Sequence, residues 1–368
     1  MTKHVLGAVA TLIGAIIGAG VLGIPYVIAK SGFIIGAIHI ILLGLAALLI
    51  NLYVGEIALR TDGKHQLVKY AEIYLGKYGK FIMFIAMLVG LYGALTAYLI
   101  GEGVSIGQLF NINPITAMII FFAIMALFIF RGLNIIEGAE IYFNIFRLVL
   151  IIGFLIFLFT HFDISNVSYT NPSNFLIPYG AVFFALMGTA VIPEMKEELK
   201  NNRKLLKKAL IIGSIIPIVV YLVLSFAVIG VTGKSTTEIA TQGLSSLGTS
   251  ALIFGNLFAI ISMATAFLVL GLALKWVFEY DYRINKHVAF LLTMAVPFAI
   301  VFFVSPAFSR VLAITGAVAG GIEGIIIVLI HRKAANHGKP EYALKSSLIL
   351  NILLISLFVA GMIYTILA

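Results

Sequence analysis

The chain has 368 residues, of which 62% are hydrophobic and 11% are charged, and its mean hydropathy is +1.14. This composition indicates a protein with many membrane spans and excludes a sizeable soluble catalytic domain. The chain has no cysteine, which excludes disulfides, thiol catalysis and cysteine-based metal sites. It also lacks an HExxH motif and a Cys/His cluster, so we predict no metal, no cofactor and no catalytic residue.

Eleven apolar segments have about the 20 residues needed to cross a hydrocarbon core about 30 Å thick. In chain order they are residues 5–29, 33–55, 81–101, 114–130, 141–161, 175–193, 209–231, 251–274, 288–304, 311–330 and 348–367. The sequence therefore predicts an all-α polytopic membrane protein, whose segments are called spans 1 to 11 below.

The net charge of +9 indicates topology rather than a nucleic acid partner. Twenty of the 24 Lys and Arg residues lie at the N-terminus or in the segments that follow spans 2, 4, 6, 8 and 10. Basic residues are retained on the cytoplasmic side of a membrane. We therefore expect a protein of the cell membrane with its N-terminus in the cytoplasm and, after eleven crossings, its C-terminus outside.

Span 1 is interrupted by glycine in the middle of its apolar run. Residues 14–26 read GAIIGAGVLGIPY, and each glycine costs a helix about 1 kcal/mol relative to alanine. Non-helical backbone is tolerated at membrane depth only where protein buries it or where it lines a water-filled cavity. The segment therefore predicts a broken helix and a binding site.

Span 6 shows the same irregularity five spans later. It carries Gly188-Thr189 at its middle and Pro193 near its inner end. Broken spans in corresponding positions of two halves are typical of transporters built from inverted repeats. We expect repeats at residues 1–161 and 175–331, with an eleventh span within 345–368. Close helix packing by small residues is the alternative explanation for each glycine cluster alone.

Residues 14–26, together with 32–33, Glu56 and 192–194, resemble the amino acid/auxin permease group, and within it the bacterial aromatic and hydroxy amino acid permeases. The resemblance implies a LeuT-type fold of 5+5 inverted repeats plus an eleventh helix. It also implies secondary transport of amino acids, coupled to protons or sodium.

The expected site follows from the chemistry of an unwound helix. Orphan N–H groups suit a carboxylate and orphan carbonyls suit an ammonium, so two breaks can bind the zwitterionic part of any amino acid. We expect the substrate side chain to point toward spans 3, 6 and 8. The predicted substrate-binding residues are Ile16, Ile17, Gly18, Ala19, Gly20, Tyr98, Phe184, Met187, Gly188 and Thr189.

Arg147 lies inside span 5. Proton-coupled relatives in the resembled group carry a lysine near this point, where it takes the place of a sodium ion. An arginine there would supply a permanent charge, because arginine does not deprotonate in proteins. The alternative is an arginine that snorkels to the inner surface.

A sodium site remains possible in this fold. The carbonyls of Gly14 and Ile17 and the hydroxyls of Ser262 and Thr265 would form it. Ala266 stands where such sites often have a second hydroxyl.

Glu102, deep in span 3, is the predicted proton carrier. An unpaired carboxylate in the membrane is costly, so we expect it to be protonated or paired, for example with Arg147. The alternative is a hydrated residue near the outer end of its span. His39 and Glu323 are further buried candidates, which we expect to make hydrogen bonds between helices.

A secondary amino acid transporter is thus the leading interpretation. A sodium-coupled symporter and a nutrient sensor of the same fold, which does not transport, are the alternatives. A channel is disfavoured, because broken helices without polar-lined spans suit occlusion better than a continuous pore.

Overall fold

The computed structural model describes residues 3–132, 139–244, 247–345 and 347–367, with side chains described throughout except at Lys3 and residues 139–145. The helices of these ranges are α1 (Lys3–Ile16), α2 (Gly20–Ser31), α3 (Phe33–Arg60), α4 (Leu67–Phe110), α5 (Pro114–Arg131), α6 (Ala139–Phe159), α7 (Pro178–Leu186), α8 (Ile192–Glu198), α9 (Leu206–Thr232), α10 (Ala240–Leu244), α11 (Thr249–Trp276), α12 (Lys286–Val304), α13 (Phe308–Ile314), α14 (Gly321–Ala334) and α15 (Leu348–Leu367).

These helices correspond to the predicted spans. Span 1 is α1 with α2, spans 2 to 5 are α3 to α6, span 6 is α7 with α8, span 7 is α9, spans 8 and 9 are α11 and α12, span 10 is α13 with α14, and span 11 is α15. Within the described ranges, nine spans are long and apolar enough to cross a membrane, and span 1 is a tenth, bent by 51°. The apolar helix α6 lies at the predicted fifth span.

Span 3 is longer than the predicted segment 81–101. Its helix begins at Leu67 and is interrupted at Gly76, where φ is 73°. Glycine reaches this conformation without the steric penalty of a side chain. Residues 67–75 therefore form a separate helical segment before the membrane. This segment lies outside the predicted apolar span because Lys69 and Glu72 make it polar.

Both predicted breaks are present. In span 1 the helix ends at Ile16 and starts again at Gly20, and in span 6 it ends at Leu186 and continues at Thr189 as a 3₁₀ turn that leads into α8. The breaks lie five spans apart, as two inverted repeats require. The repeat boundaries at residues 161, 175 and 331 stay a prediction.

Hydrogen bonds between loops define the two ends of the helix bundle. At the end that carries the basic segments, Lys196 Nζ donates to the carbonyl of Thr61 over 2.9 Å. At the opposite end, the N–H of Asn171 donates to the carbonyl of Ser31 over 2.8 Å. The segments that the charge distribution assigns to one side of the membrane therefore meet at one end of the bundle.

A carboxylate at the basic end ties span 2 to span 10 and to the segment before span 11. Glu56 Oε1 accepts a hydrogen bond from Arg60 Nε (2.8 Å), and its Oε2 accepts from His331 Nε2 (2.9 Å) and from the N–H of Leu344 (2.7 Å). Tyr53 stacks on the His331 ring with 3.8 Å between centroids. Each carboxylate oxygen is thus satisfied, as a buried charge requires.

Candidate functional site

The break in span 1 leaves backbone groups without their usual helical partners. The N–H of Ile17 still donates to the carbonyl of Ile13 (2.8 Å), whereas the N–H of Gly18 turns to the carbonyl of Ile16 (3.0 Å). The groups without a hydrogen-bond partner among the described residues are the carbonyls of Gly14 and Ala15 and the N–H groups of Ala19 and Gly20. The break therefore offers acceptors at the electronegative end of α1 and donors at the electropositive start of α2.

Side chains from three other spans pack against this break. The Tyr221 hydroxyl of span 7 donates to the carbonyl of Ile16 over 2.8 Å. Next to Gly18 lie the ring and hydroxyl of Tyr98, which a Cβ at that position would approach to 2.8 Å, and the Cβ of Ala266, at 3.0 Å. Gly18 therefore lets spans 3 and 8 come into direct contact with the backbone of span 1.

The break in span 6 meets the break in span 1. Met187 is extended (φ −74°, ψ 130°), and Gly188 follows with φ −138° and ψ 10°. Among described residues, no acceptor is found for the N–H groups of Gly188 and Thr189. A Cβ on Gly188 would lie 2.5 Å from the side chain of Leu12 and 2.9 Å from that of Ile16, so the two unwound segments are in close contact.

A cavity lies where the two breaks meet. About 600 Å³ of space not filled by atoms belongs to it, a volume that includes open solvent at its mouth. It is lined by Ala15, Ile16, Met87, Gly90, Leu91, Ala94, Tyr98, Phe184, Met187, Gly188, Thr189, Ala190, Leu270, Thr315, Gly316, Gly320 and Glu323.

Part of the predicted substrate site lines this cavity, and part lies behind its wall. The lining includes Ile16, Tyr98, Phe184, Met187, Gly188 and Thr189. The buried residues Ile17, Gly18, Ala19 and Gly20 are not part of it. Span 8 contributes only Leu270, whereas span 10, which we did not expect in the lining, contributes four residues.

Glu323 of span 10 is the acidic side chain in the lining. Its Oε1 accepts a hydrogen bond from the Thr189 hydroxyl at the break in span 6, and the residue is 7% exposed. The expected hydrogen bond between helices is thus present. His39 differs from the expectation, since its Nδ1 donates to the carbonyl of Ile35 within the same helix over 2.9 Å.

Arg147 is directed at the break in span 1 and does not snorkel. The residue is 3% exposed, and its guanidinium donates to the carbonyl of Ile17 (3.1 Å) and to the Thr265 hydroxyl (3.4 Å). Its positive charge therefore lies at the electronegative end of α1. Two groups of the predicted sodium site are bonded to Arg147, while the buried hydroxyl of Ser262 has no partner in the described part of the chain.

Within the described ranges Glu102 is neither hydrated nor paired, so of the states expected for it the protonated acid stays a prediction. The residue is completely buried, and neither carboxyl oxygen has a hydrogen-bond partner among the residues described. Hydration near the outer end and pairing with Arg147 are both wrong, because the span 3 helix continues to Phe110 and Arg147 is directed at Ile17. Glu102 also does not line the cavity.

A model of the tryptophan/tyrosine permease family matches residues 1–367 of the chain. The chain belongs to this family. It is therefore an amino acid transporter with many membrane spans, and the resemblance seen in residues 14–26 is confirmed.

Two curated relatives share about a quarter of the permease's residues. Glutamine transporter 2 of Aliivibrio fischeri is 25% identical over 313 residues, which cover 81% of the permease and 80% of the relative. The tyrosine-specific transport system 1 of Haemophilus influenzae is 27% identical over 295 residues, which cover 74% and 72% of the two chains.

The fold matches that of MhsT, solved by crystallography in complex with L-phenylalanine. The two structures have a TM-score of 0.71 at 15% sequence identity, and the match covers 98% of the permease and 97% of MhsT. The expected LeuT-type fold, with broken spans 1 and 6 and an eleventh helix, is confirmed.

The sequence of span 3 also contains a serine hydrolase pattern, but the structure does not give it the usual geometry. Residues 103–107 read GVSIG, which matches the GxSxG pattern of serine hydrolases. In those enzymes the serine lies on a sharp turn between a strand and a helix. Here Ser105 is buried within the continuous helix of span 3, so the pattern does not form a nucleophile elbow.

The sequence did not predict that Tyr221 bonds the broken backbone of span 1 or that span 10 lines the cavity. Tyr221 is one of 15 tyrosines, and no local pattern distinguishes it. Span 10 did carry a signal, because residues 315–324 read TGAVAGGIEG and combine four glycines with an acid in the middle of a span. Its residues Thr315–Gly320 form a π-helical turn, a distortion frequent at functional sites.

Replacing Gly18 should disturb the site, whereas replacing Gly14 should not. A Cβ on Gly18 collides with Tyr98 and Ala266, whereas a Cβ on Gly14 has no atom within 4 Å. We expect Gly18→Ala to destabilise the permease by about 1–3 kcal/mol and Gly14→Ala to leave its stability unchanged or slightly increased. Thermal unfolding in detergent measures both, and equal melting temperatures for the two variants would contradict the proposed packing.

Proposed function

We propose that the permease carries neutral or aromatic L-amino acids across the cell membrane by alternating access, with the substrate bound where the breaks in spans 1 and 6 meet. The observation that carries this proposal is the position of the cavity against both breaks, next to backbone groups that lack partners. Such groups are costly in a membrane interior, and a zwitterion supplies both a carboxylate and an ammonium to satisfy them.

The orphan groups favour one orientation of the substrate. The N–H groups of Ala19 and Gly20 suit the carboxylate, and because both residues lie behind the cavity wall this assignment requires the wall to open during the transport cycle. The carbonyls of Ile16 and Ile17, two of the predicted substrate-binding residues, already accept hydrogen bonds from Tyr221 and Arg147. We therefore assign the ammonium to the carbonyl of Ala15, a residue that lines the cavity, and to carbonyls of residues 184–188.

The names of the similar proteins support a small neutral substrate. The two curated relatives are transporters for glutamine and for tyrosine, and MhsT was crystallised with phenylalanine. Glutamine, tyrosine and phenylalanine are single amino acids whose side chains carry no net charge. The apolar lining of the cavity, with Met87, Leu91 and Leu270, is suited to the larger and more hydrophobic members of this class.

Transport coupled to protons, or exchange of substrates, fits the surroundings of Arg147 better than sodium coupling. The guanidinium is bonded to Ile17 and Thr265, two of the groups that a sodium ion would need. A permanent cation there would repel a second one. Since arginine cannot release its proton, we assign the transported proton to Glu102, a buried acid in span 3.

We infer that the basic end of the bundle faces the cytoplasm, as the positive-inside rule requires. The permease has no cysteine, so single exposed cysteines can report orientation. A maleimide that does not cross membranes should label Ser235→Cys, at the opposite end, in intact cells and should not label Asn201→Cys, at the basic end. The reverse labelling pattern would contradict the orientation.

Reconstitution tests transport itself. Purified permease in liposomes should take up radiolabelled tyrosine, tryptophan, phenylalanine or glutamine with saturable kinetics, and an inward proton gradient or internal substrate should accelerate uptake. A sodium gradient should have no effect. Saturable binding without flux would favour the nutrient sensor, and neither binding nor flux for any amino acid would overturn the proposal.

Coupling is tested by the pH dependence of uptake. We expect wild-type uptake to rise as the external pH falls, and Glu102→Gln to flatten this dependence because the amide cannot carry a proton. Glu72→Gln, on the segment before span 3 where the carboxylate pairs with Lys69 and Lys80, serves as the control and should keep the wild-type profile. An unchanged profile in Glu102→Gln would exclude this residue as the carrier.

A further inference from the structure

Glu323 has one carboxyl oxygen that the protein uses and one that it does not. Oε1 accepts the hydrogen bond from the Thr189 hydroxyl. Among the described residues, no donor is found for Oε2, and the residue lines the cavity. Unlike the two carboxyl oxygens of Glu102, Oε2 of Glu323 is not among the fully buried atoms without a partner. It therefore faces the cavity, where it is available to accept a hydrogen bond from a molecule that enters.

Much of the cavity lining is apolar or without side chains. It includes Met87, Gly90, Leu91, Leu270 and Gly320, while Thr315 of span 10 adds a hydroxyl. Glycines leave flat, open surfaces: a Cβ on Gly90 would meet only the Cβ of Ala319, at 3.6 Å. These walls suit a flat apolar group, and the carboxyl group of Glu323 suits a hydrogen-bond donor at the edge of that group.

The cavity is long enough to separate the two ends of one amino acid. Its lining on span 3 extends from Tyr98, beside the break in span 1, to Met87, which is about 16 Å along a helix at about 1.5 Å per residue. A substrate whose carboxylate and ammonium lie at the breaks can therefore extend its side chain toward span 10. Gly93 lies beside Thr315 and Gly90 beside Ala319, so the next turn of span 10, which carries Glu323, lies toward the Met87 end of the cavity, where we place the side chain of the substrate.

We propose that Glu323 and Thr189 form a subsite that selects aromatic side chains carrying a hydrogen-bond donor, a phenol O–H or an indole N–H. The subsite rests on the proposed function, since it needs the backbone of the substrate at the two breaks. Thr189 orients the carboxylate through Oε1, and Oε2 accepts the donor of the substrate. Phenylalanine fills the same space but leaves Oε2 without a partner, and a site built for a donor discriminates strongly against an analogue that lacks it.

Competition binding to the purified full-length permease tests this subsite. With radiolabelled L-tyrosine as the probe, unlabelled tyrosine and tryptophan should bind about 10- to 100-fold more tightly than phenylalanine, as expected for a hydrogen bond to a charged group. Glu323→Met keeps a side chain of similar length without the acceptor. We expect it to reduce this ratio to within about threefold while the affinity for phenylalanine stays near the wild-type value.

Two further variants make the result specific. Glu323→Gln keeps an oxygen for Thr189 and removes the charge, and we expect an intermediate ratio. It replaces Glu323→Met if that variant does not fold. Glu72→Gln makes the same change at an acid outside the cavity, where the carboxylate pairs with Lys69 and Lys80, and should leave the ratio of affinities unchanged.

The remaining outcomes would contradict the proposed subsite, and they can be distinguished from a failure of the proposed function. An equal loss of affinity for all amino acids in the Glu323 variants would place the ammonium at Glu323. An unchanged ratio with an altered pH dependence of binding would make Glu323 a proton-coupling residue. Wild-type protein that binds no amino acid would instead overturn the proposed function.

Discussion

Backbone polar groups freed in the middle of the bilayer are the constraint on which the rest of this structure depends. Water is not available there, and each group left without a partner costs several kcal/mol. The permease satisfies two of the freed carbonyls with its own side chains, Tyr221 on Ile16 and Arg147 on Ile17. Others, on either side of the break, have no partner among the described residues. These are the groups that a zwitterionic substrate is equipped to satisfy.

Arg147 gives this arrangement an electrostatic character of its own. A guanidinium at the end of α1 offsets the negative end of the helix dipole and holds the carbonyl of Ile17 in place. Unlike a lysine ammonium, it does not lose its proton at any physiological pH. The charge beside the break is therefore constant through a transport cycle, and any change of charge has to come from another group. Glu102 and Glu323 are the two buried acids of spans 3 and 10 from which it could come.

Close packing between spans 6 and 10 shapes the far side of the cavity. A Cβ on Gly316 would lie 1.9 Å from the carbonyl of Gly180, so only glycine permits this contact between the two helices. The contact and the π-helical turn of Thr315–Gly320 bring the following residues of span 10 toward the break in span 6. The hydrogen bond between Thr189 and Glu323 is one result. An acidic side chain thereby reaches a cavity that is otherwise mostly apolar.

The sequence by itself determined the membrane class, the series of spans, the two breaks and the presence of buried ionisable residues. These properties are local: a run of apolar residues, four glycines within residues 14–26, or a charge within a span can be read without knowing its neighbours. It did not determine which partners the broken backbone meets. The same sequence is compatible with an Arg147 that snorkels to the surface and with one that is buried inside the protein. Only the approach of Ile17 and Thr265 distinguishes the two. The tertiary structure also decided that span 10 rather than span 8 forms the wall of the cavity. Contacts between helices more than a hundred residues apart depend on how their side chains pack, and the periodicity of the sequence does not encode this packing.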